Sequence, residues 1–230
     1  MSAHNHPDKY AVLWDMDGTL INSAEMHFQA WQQLATGKGV PFTRKIFYDT
    51  FGRRNPDILR QLLGDGFSEA ELTAHGEEKE EAYRQAILKH GTEFLPGAKD
   101  LVVALHNEGF LQAIGSSAPR KNIETIVEVL EMQAYFPVLI GMEDTEHGKP
   151  QPDVFLNAVR KLDVSPECCL VLEDAVAGVQ AAKAGGMKCI AVSFVGHHGD
   201  EALKQAGADY VVGDLTEVSV EHIRSMLRHY

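Results

Sequence analysis

Short apolar runs alternate with amphipathic helical segments from about residue 94 to the end of the chain. Leu111–Gly115 and residues 169–172 are such runs, and a segment with helical periodicity follows each of them. The runs are too short for helices, and because they are apolar throughout they predict strands that are buried on both faces. Parallel strands need crossover connections, so the alternation predicts an α/β fold in which a parallel sheet carries helices on both faces.

The apolar run Ala11–Trp14 predicts a further strand near the start of the chain, but the segment after it breaks the alternation. Residues 22–90 show no convincing strand pattern, and helices are predicted there at residues 25–35, 43–50, 57–63 and 68–89. The sequence therefore predicts two domains. One is a discontinuous sheet domain of residues 1–21 and 91–230, and the other is an inserted helical domain of residues 22–90.

Composition and charge narrow the class of partner. The chain is 44% hydrophobic and 23% charged, as is typical of globular proteins, and none of its apolar stretches approaches the roughly 20 residues of a membrane span. The formal net charge of -12 argues against binding to nucleic acid or to a membrane surface. Three cysteines without C-x-x-C spacing and a polar opening segment predict free thiols in the cytoplasm. We expect a monomer that acts on a small molecule.

Two acidic residues, Asp15 and Asp17, directly follow the first predicted strand. In an open α/β sheet, ligands bind at the carboxyl ends of the strands, and Gly18 allows the chain to turn sharply away from this edge. Two carboxylates so close together repel each other unless a cation, a proton or a reaction stabilises them. An acidic pair beside a glycine is also an ordinary strand-ending turn, so the pair alone does not decide the function.

Further polar groups follow later strands: Ser116, Lys149, and Glu173 with Asp174. Each has an ordinary structural explanation as a helix cap, a solvated loop residue or a partner of a helix dipole. At one edge of a parallel sheet, however, they would complete a set with the acidic pair. The set comprises a nucleophilic carboxylate, a second acid, a hydroxyl donor, a cation, and further carboxylates for a hard metal ion.

In this order, the motifs resemble those of the haloacid dehalogenase superfamily, and within it the phosphotransferases with a helical cap inserted after the first motif. The resemblance covers nearly the whole chain after the first nine residues. It implies a Rossmann-like core with a parallel sheet and an α-helical cap of the C1 type. The matching residues are Asp15-Met16-Asp17-Gly18-Thr19, Ser116, Lys149 in Gly148-Lys149-Pro150, and Leu172-Glu173-Asp174-Ala175-Val176-Ala177-Gly178.

The resemblance implies a role for each of four residues, and elementary chemistry agrees with it. Asp15 would attack phosphorus in line and form an aspartyl-phosphate. Asp17 would protonate the leaving oxygen and later deprotonate the incoming hydroxyl. Ser116 and Lys149 would bind the transferring phosphoryl group and stabilise its charge.

The resemblance also implies Mg²⁺ as the cofactor. Asp15, the backbone carbonyl of Asp17, and Asp174 would hold the ion, with Glu173 either as a further ligand or just outside the ligand set. Such an ion makes it possible for a carboxylate to approach an anionic phosphate. The negative net charge of the chain would otherwise oppose phosphate binding.

The predicted cap resembles the β-phosphoglucomutase branch of the superfamily. His27 matches a histidine that helps to hold the catalytic acid and the cap, and Lys79 matches a cap lysine that faces the substrate. Three residues after Gly52, where that branch has an arginine that grips a distal phosphate, this chain has Asn55. Arg54 is either a substitute for that arginine or a solvated residue.

Two more residues are candidates for phosphate binding because they follow Ser116 in the same loop. Ser117 is its immediate neighbour. Arg120 either contacts phosphate or is a surface residue at the start of a helix, and the sequence leaves both possibilities open.

Four functions fit these motifs to different extents. The first is a Mg²⁺-dependent phosphohydrolase of a small phosphorylated sugar, and the second is a β-phosphoglucomutase, which keeps water away from the aspartyl-phosphate. Asn55 favours the hydrolase, whereas His27 and Lys79 fit the mutase branch. The third is a phospho-accepting module like a receiver domain, which the helical insertion at residues 22–90 disfavours. The fourth is a non-catalytic relative, which the complete motif set disfavours.

Overall fold

The computed structural model describes residues 9–50, 55–64 and 66–228. The chain forms two compact units. One unit, which we call the sheet unit, runs to Asn22 and resumes at Glu93, and the other, the helical unit, is Ser23–Thr92. The predicted boundaries lie within two residues of these positions.

The described part of the sheet unit contains one six-stranded sheet in which every pair of neighbouring strands is parallel. The strand order is β3-β2-β1-β4-β5-β6, so β1 lies between β2 and β4, where the order reverses. This reversal point is where open α/β sheets bind ligands. The prediction of a parallel α/β sheet is confirmed. The strands are β1 Ala11–Trp14, β2 Leu111–Gly115, β3 Val138–Ile140, β4 Cys169–Glu173, β5 Lys188–Val192 and β6 Tyr210–Val212.

Four described helices make up the helical unit, as the apolar periodicity of the insertion predicts. Aromatic rings fill its core, and the ring centroid of Phe42 lies 6.0 Å from that of Phe28 and 6.0 Å from that of Trp31. Ser68 caps the longest helix, because its hydroxyl accepts from the amide of Glu71 while the Glu71 side chain accepts from the amide of Ser68. The helices are α1 Ala24–Gly37, α2 Arg44–Thr50, α3 Asn55–Leu63 and α4 Glu69–His90.

The remaining helices belong to the sheet unit. From β2 onward they alternate with the strands, as the sequence predicts, although α9 is too short to show a helical period. Within the part of the chain that the structure describes, no helix is both long and apolar enough to cross a membrane. The helices are α5 Ala98–Asn107, α6 Arg120–Val129, α7 Asp153–Leu162, α8 Val176–Ala184, α9 Asp200–Gln205 and α10 Val220–Arg228.

Alternate residues of β1 point to opposite faces of the sheet. Leu13 packs with residues of α7 and α8 in one core. Trp14 is fully buried and donates from Nε1 to Oε1 of Gln112 at 3.0 Å, and the Gln112 amide donates to the carbonyl of Val102 in α5. Trp14 therefore packs in the core, as strand alternation predicts.

Backbone contacts join the two chain segments of the sheet unit next to the insertion. Ile21 and Phe94 form an isolated antiparallel bridge. Beside it, the amide of Leu95 donates to the carbonyl of Leu20 at 3.0 Å. We refer to this short pairing as the stem.

Candidate active site

Asp15 lies at the carboxyl end of β1, and its amide extends the ladder to β4 by donating to the carbonyl of Leu172 at 2.9 Å. The chain then turns at Gly18, which has a φ of +91°. A β-carbon at Gly18 would lie 2.2 Å from Oδ2 of Asp174. Gly18 is therefore needed both for the turn and for the close approach of Asp174 to the end of β1.

Three buried carboxylates meet at this edge of the sheet. Asp15, Glu173 and Asp174 each offer one oxygen, and these oxygens all lie within 4.8 Å of one another. Burial raises the pKa of Asp15 to about 8, and burial and the neighbouring carboxylates raise the pKa of Asp174 well above its ordinary value. A hard divalent cation would relieve this repulsion, and an all-oxygen donor set suits Mg²⁺.

Lys149 reaches the same cluster from the loop that follows β3. Its ammonium group donates to Oδ1 of Asp15 and, at 2.6 Å, to Oε1 of Glu173. Its side chain is only 8% exposed. Although burial acts to lower the pKa of Lys149, Asp15 and Glu173 raise it above its ordinary value, so the lysine remains charged.

Glu173 is held by nitrogen donors at both of its oxygens. Oε1 accepts from Lys149, while Oε2 accepts from the amides of Asp174 at 2.8 Å and Ala175 at 2.7 Å. A β-carbon at Gly178 in α8 would lie 1.6 Å from Oε1 of Glu173. The missing side chain of Gly178 thus makes the slot that receives this carboxylate.

Ser116 follows β2 and is buried, whereas its neighbour Ser117 is exposed. The Ser116 amide donates to the carbonyl of Ile140 at 3.0 Å, and its hydroxyl accepts from the amide of Ala118 at 3.1 Å. A serine hydroxyl that accepts one hydrogen bond can still donate another. The structure therefore brings Asp15, Ser116 and Lys149 to the ends of neighbouring strands, as the sequence predicts.

Arg120 is the first residue of α6, and its guanidinium group forms an ion pair with Asp144. Burial acts to raise the pKa of Asp144, but hydrogen bonds from Arg120 and from the amide of Gly141 lower it below its ordinary value. The sequence offers Arg120 as a phosphate ligand or a surface residue. In the structure, its guanidinium group pairs with the carboxylate of Asp144.

The two matched residues of the predicted cap lie together inside the helical unit. The Lys79 ammonium is 2.8 Å from Nδ1 of His27 and donates to Oε1 of Glu80, also at 2.8 Å. The carboxamide of Asn55 donates to the same oxygen of Glu80 at 2.7 Å. Although burial acts to raise it, the pKa of Glu80 is lowered to about 2 by Lys79, His27 and Asn55. We call these four residues the Lys79 cluster.

One predicted phosphate ligand, Arg54, lies outside the described residues, together with Gly52 and Arg53. The position that follows them, Asn55, is described and belongs to the Lys79 cluster.

Two residues with evident roles in the structure, Asp144 and Glu80, are absent from the sequence-based predictions. Gly178 appears there only as the last residue of the motif that begins at Leu172, without a role of its own. The spacing of Gly178 from Glu173 and the Glu143-Asp144 pair ahead of Lys149 are the only signals in the sequence. Neither signal is specific, because the contacts that give these residues their roles form only on folding.

Residues 12–192 match the family model described as haloacid dehalogenase-like hydrolase. The chain belongs to this family. The family resemblance predicted from the motifs is thus confirmed, and the chain is an enzyme of the haloacid dehalogenase-like class. This membership disfavours a non-catalytic receiver-like module.

Two relatives illustrate the range of named activities in this family. The chain is 32% identical over 226 residues to a β-phosphoglucomutase of Bacillus subtilis (strain 168), covering 96% of each chain. It is 33% identical over 214 residues to a validoxylamine A 7'-phosphate phosphatase of Streptomyces hygroscopicus subsp. limoneus, covering 92% of this chain and 97% of the relative.

A solved structure of the same family has a similar fold. A haloacid dehalogenase hydrolase of family IA, variant 3, from Entamoeba histolytica HM-1:IMSS has a structure that matches this one with a TM-score of 0.87. The two chains are 27% identical, and the match covers 96% of this chain and 100% of the other. The predicted Rossmann-like core is therefore confirmed by a structure of the same family.

Proposed function

We propose that this enzyme is a Mg²⁺-dependent phosphohydrolase that acts on a small phosphorylated sugar through an aspartyl-phosphate on Asp15. The observation that carries the proposal is the buried cluster at the end of β1, where Lys149 bridges Asp15 and Glu173 beside Asp174. Nucleophile, cation and metal-binding carboxylates are the parts that phosphoryl transfer needs. Relatives named as a sugar-phosphate mutase and a phosphatase support the same class of reaction.

The proposed reaction has two steps. In the first, an Asp15 oxygen attacks phosphorus, the bond between phosphorus and the leaving oxygen breaks, and Asp17 gives that oxygen its proton. In the second, Asp17 takes a proton from water, the water oxygen attacks phosphorus, the bond between phosphorus and the Asp15 oxygen breaks, and inorganic phosphate leaves. Ser116 and Lys149 hold the phosphoryl oxygens throughout and stabilise their charge.

The carboxylates fit a magnesium ion, which would be held by Asp15, Asp174 and the backbone carbonyl of Asp17. The ion would supply positive charge that allows the Asp15 carboxylate to approach an anionic phosphate. Both Glu173 oxygens are engaged with nitrogen donors, which supports a role outside the ligand set, with Glu173 orienting Lys149 and the loop of Asp174.

A hydrolase is favoured over a mutase by the Lys79 cluster. A mutase has to hold a bisphosphate, and the branch that this chain resembles uses an arginine at the position of Asn55 for the distal phosphate. Here the Asn55 carboxamide binds the carboxylate of Glu80, so this position offers no positive charge. A β-phosphoglucomutase remains the second candidate, because His27 and Lys79 match that branch.

The test is an assay with Mg²⁺, β-glucose 1-phosphate and a trace of β-glucose 1,6-bisphosphate, in which glucose 6-phosphate and free phosphate are followed in parallel. Free phosphate as the main product supports the hydrolase, and a panel of other phosphosugars then identifies the preferred substrate. Glucose 6-phosphate without free phosphate would show a mutase instead. In either case Asp15→Asn should abolish turnover and leave the thermal unfolding transition in place, whereas a near-normal rate would refute the nucleophile.

A further inference from the structure

We propose that Arg120 is a positioning residue that fastens the phosphate-binding loop of Ser116 to the turn that leads to Lys149. This inference rests on the proposed function, because it assigns phosphate binding to Ser116 and Lys149. It adds a pair of residues, Arg120 and Asp144, that neither touch the phosphoryl group nor belong to the motifs.

Arg120 contacts the turn after β3 at two points. Its guanidinium group pairs with the carboxylate of Asp144, and its own backbone amide donates to Oε2 of Glu143 at 2.9 Å. The two backbones also touch, since a β-carbon at Gly141 would lie 2.7 Å from the backbone nitrogen of Arg120. Next to these contacts, the amide of Met142 donates to the carbonyl of Ala118 at 3.0 Å.

Asp144 also organises the turn itself. Its Oδ2 accepts from the amide of Gly141 at 2.8 Å, and its carbonyl accepts from the side chain of Asn157 in α7 at 2.6 Å. The chain reaches Lys149 five residues later. Asp144 thus receives the Arg120 guanidinium while it fixes the turn from which the Lys149 loop departs.

The charge of Arg120 at the amino end of α6 also needs its carboxylate partners. A cation at the first residue of a helix is unfavourable, because the amino end of the helix already carries partial positive charge. Arg120 occupies this position at the start of α6, and Glu143 and Asp144 provide the compensating anions. If the dipole alone mattered, removing the cation would stabilise α6. A loss of phosphate affinity in Arg120→Ala would therefore come from the lost pairing with Asp144 and not from the helix dipole.

The experiment measures binding of inorganic phosphate in the presence of Mg²⁺ by calorimetry for the unmodified protein, Arg120→Ala, Asp144→Asn and the double variant. Misplacing a binding group by about 1 Å can weaken a site by up to about 100-fold, so we expect each single variant to bind phosphate at least about tenfold more weakly. The double variant should bind no more weakly than the poorer single variant, because both substitutions break one pairing.

A direct contact between Arg120 and phosphate gives a different pattern. Asp144→Asn would then release the guanidinium group, phosphate would bind as tightly or more tightly, and Arg120→Ala would lose affinity in both backgrounds. That pattern overturns the proposal, as does unchanged affinity in all variants. Because binding is measured apart from turnover, the expected pattern in a protein that hydrolyses no phosphosugar would refute the substrate class and leave the positioning role standing. Failure of the unmodified protein to bind phosphate would overturn both.

A matched ion pair provides the control. Lys183 and Asp209 are 31% and 21% exposed, against 33% and 21% for Arg120 and Asp144. Asp209 also accepts from a backbone amide, that of Cys189 at 2.8 Å, but it lies at the amino-terminal edge of the sheet. Lys183→Ala should leave phosphate affinity unchanged, and an equal loss there would show that the effect is one of general stability.

Discussion

The sheet unit and the helical unit each bury a lysine beside a glutamate, yet the two clusters differ in charge. Lys149 faces Asp15 and Glu173 with Asp174 nearby, so carboxylates outnumber cations. Among the described contacts, Lys79 donates to the carboxylate of Glu80, and the cluster also contains an imidazole and a carboxamide. The first cluster holds more carboxylates than cations, whereas the described contacts of the second pair one ammonium group with one carboxylate.

This difference separates a reactive site from a supporting one. In the sheet unit burial, together with the neighbouring carboxylate of Glu173, raises the pKa of Asp15, so a divalent cation would be needed to keep the nucleophile ionised. In the helical unit the same type of ion pair lowers the pKa of Glu80 to about 2, which fixes one charge state across the neutral range. Burial of a lysine therefore does not by itself mark a catalytic centre, and the balance of its partners is more informative.

Removing the negative charge of Glu80 in the helical unit should produce the largest effect on stability. In Glu80→Gln, the ammonium of Lys79, which is only 2% exposed, keeps an oxygen acceptor but loses its counter-charge. We expect the free energy of unfolding at pH 7 to fall by about 3 kcal/mol. Urea titration measures this change, and Glu78→Gln, which alters an exposed side chain, is the control.

The stability difference between the unmodified protein and Glu80→Gln should depend on pH. Because folding lowers the pKa of Glu80 from 4.5 to about 2, its charge stabilises the protein above pH 4.5, and this contribution is lost as the pH falls toward 2. The stability difference between the unmodified protein and Glu80→Gln should narrow over this range. A constant difference would show that packing, and not charge, dominates the cluster.

Disturbing the carboxylate cluster at the end of β1, which we call the sheet cluster, should lower catalytic activity more than stability. Gly178→Ala places a β-carbon 1.6 Å from Oε1 of Glu173, so the carboxylate and the bound Lys149 have to move. We expect kcat/KM to fall by about 100-fold, equivalent to about 2.7 kcal/mol, which steady-state kinetics with the preferred phosphosugar would measure.

Gly76 in α4 is the matched helical glycine. A β-carbon there would be 3.5 Å from Cβ of Asn55, an ordinary contact. Gly76→Ala should therefore be tolerated and should stabilise the protein by about 0.5–1 kcal/mol, because alanine loses less conformational freedom in a helix. A comparable loss of activity in Gly178→Ala and Gly76→Ala would contradict our view that Gly178 leaves room for the carboxylate of Glu173.

The last prediction concerns magnesium. If the sheet cluster binds the ion, Mg²⁺ at ten times its dissociation constant should stabilise the protein by about 1.4 kcal/mol, and a chelator should remove this gain. Asp174→Asn should abolish the increase in melting temperature, whereas Glu80→Gln should keep it. An equal response to Mg²⁺ in the Asp174 variant would place the ion elsewhere.

Much of the fold was predictable because its strands are encoded locally. The predicted limits of β1 and β2 are those of the structure, since each strand is a short apolar run between polar segments. Helix α9 was not predicted, because six residues contain fewer than two helical turns.

The candidate site was predictable only in part. Asp15, Ser116 and Lys149 could be placed together because parallel strands end at one edge of the sheet. The partner of Arg120 and the slot at Gly178 depend on how loops pack after folding, and no local pattern encodes them. The same holds for Asn55, whose carboxamide meets Glu80 only when α3 packs on α4.

The stem between Ile21 and Phe94 has an evolutionary consequence. Because the insertion leaves and rejoins the sheet unit at paired positions, its two ends are already held together. The entropy lost in closing a loop grows only with the logarithm of its length. Segments of quite different size can therefore be exchanged at this point with little penalty to the sheet, which makes the insertion a module that selection can replace while the phosphoryl chemistry stays in place.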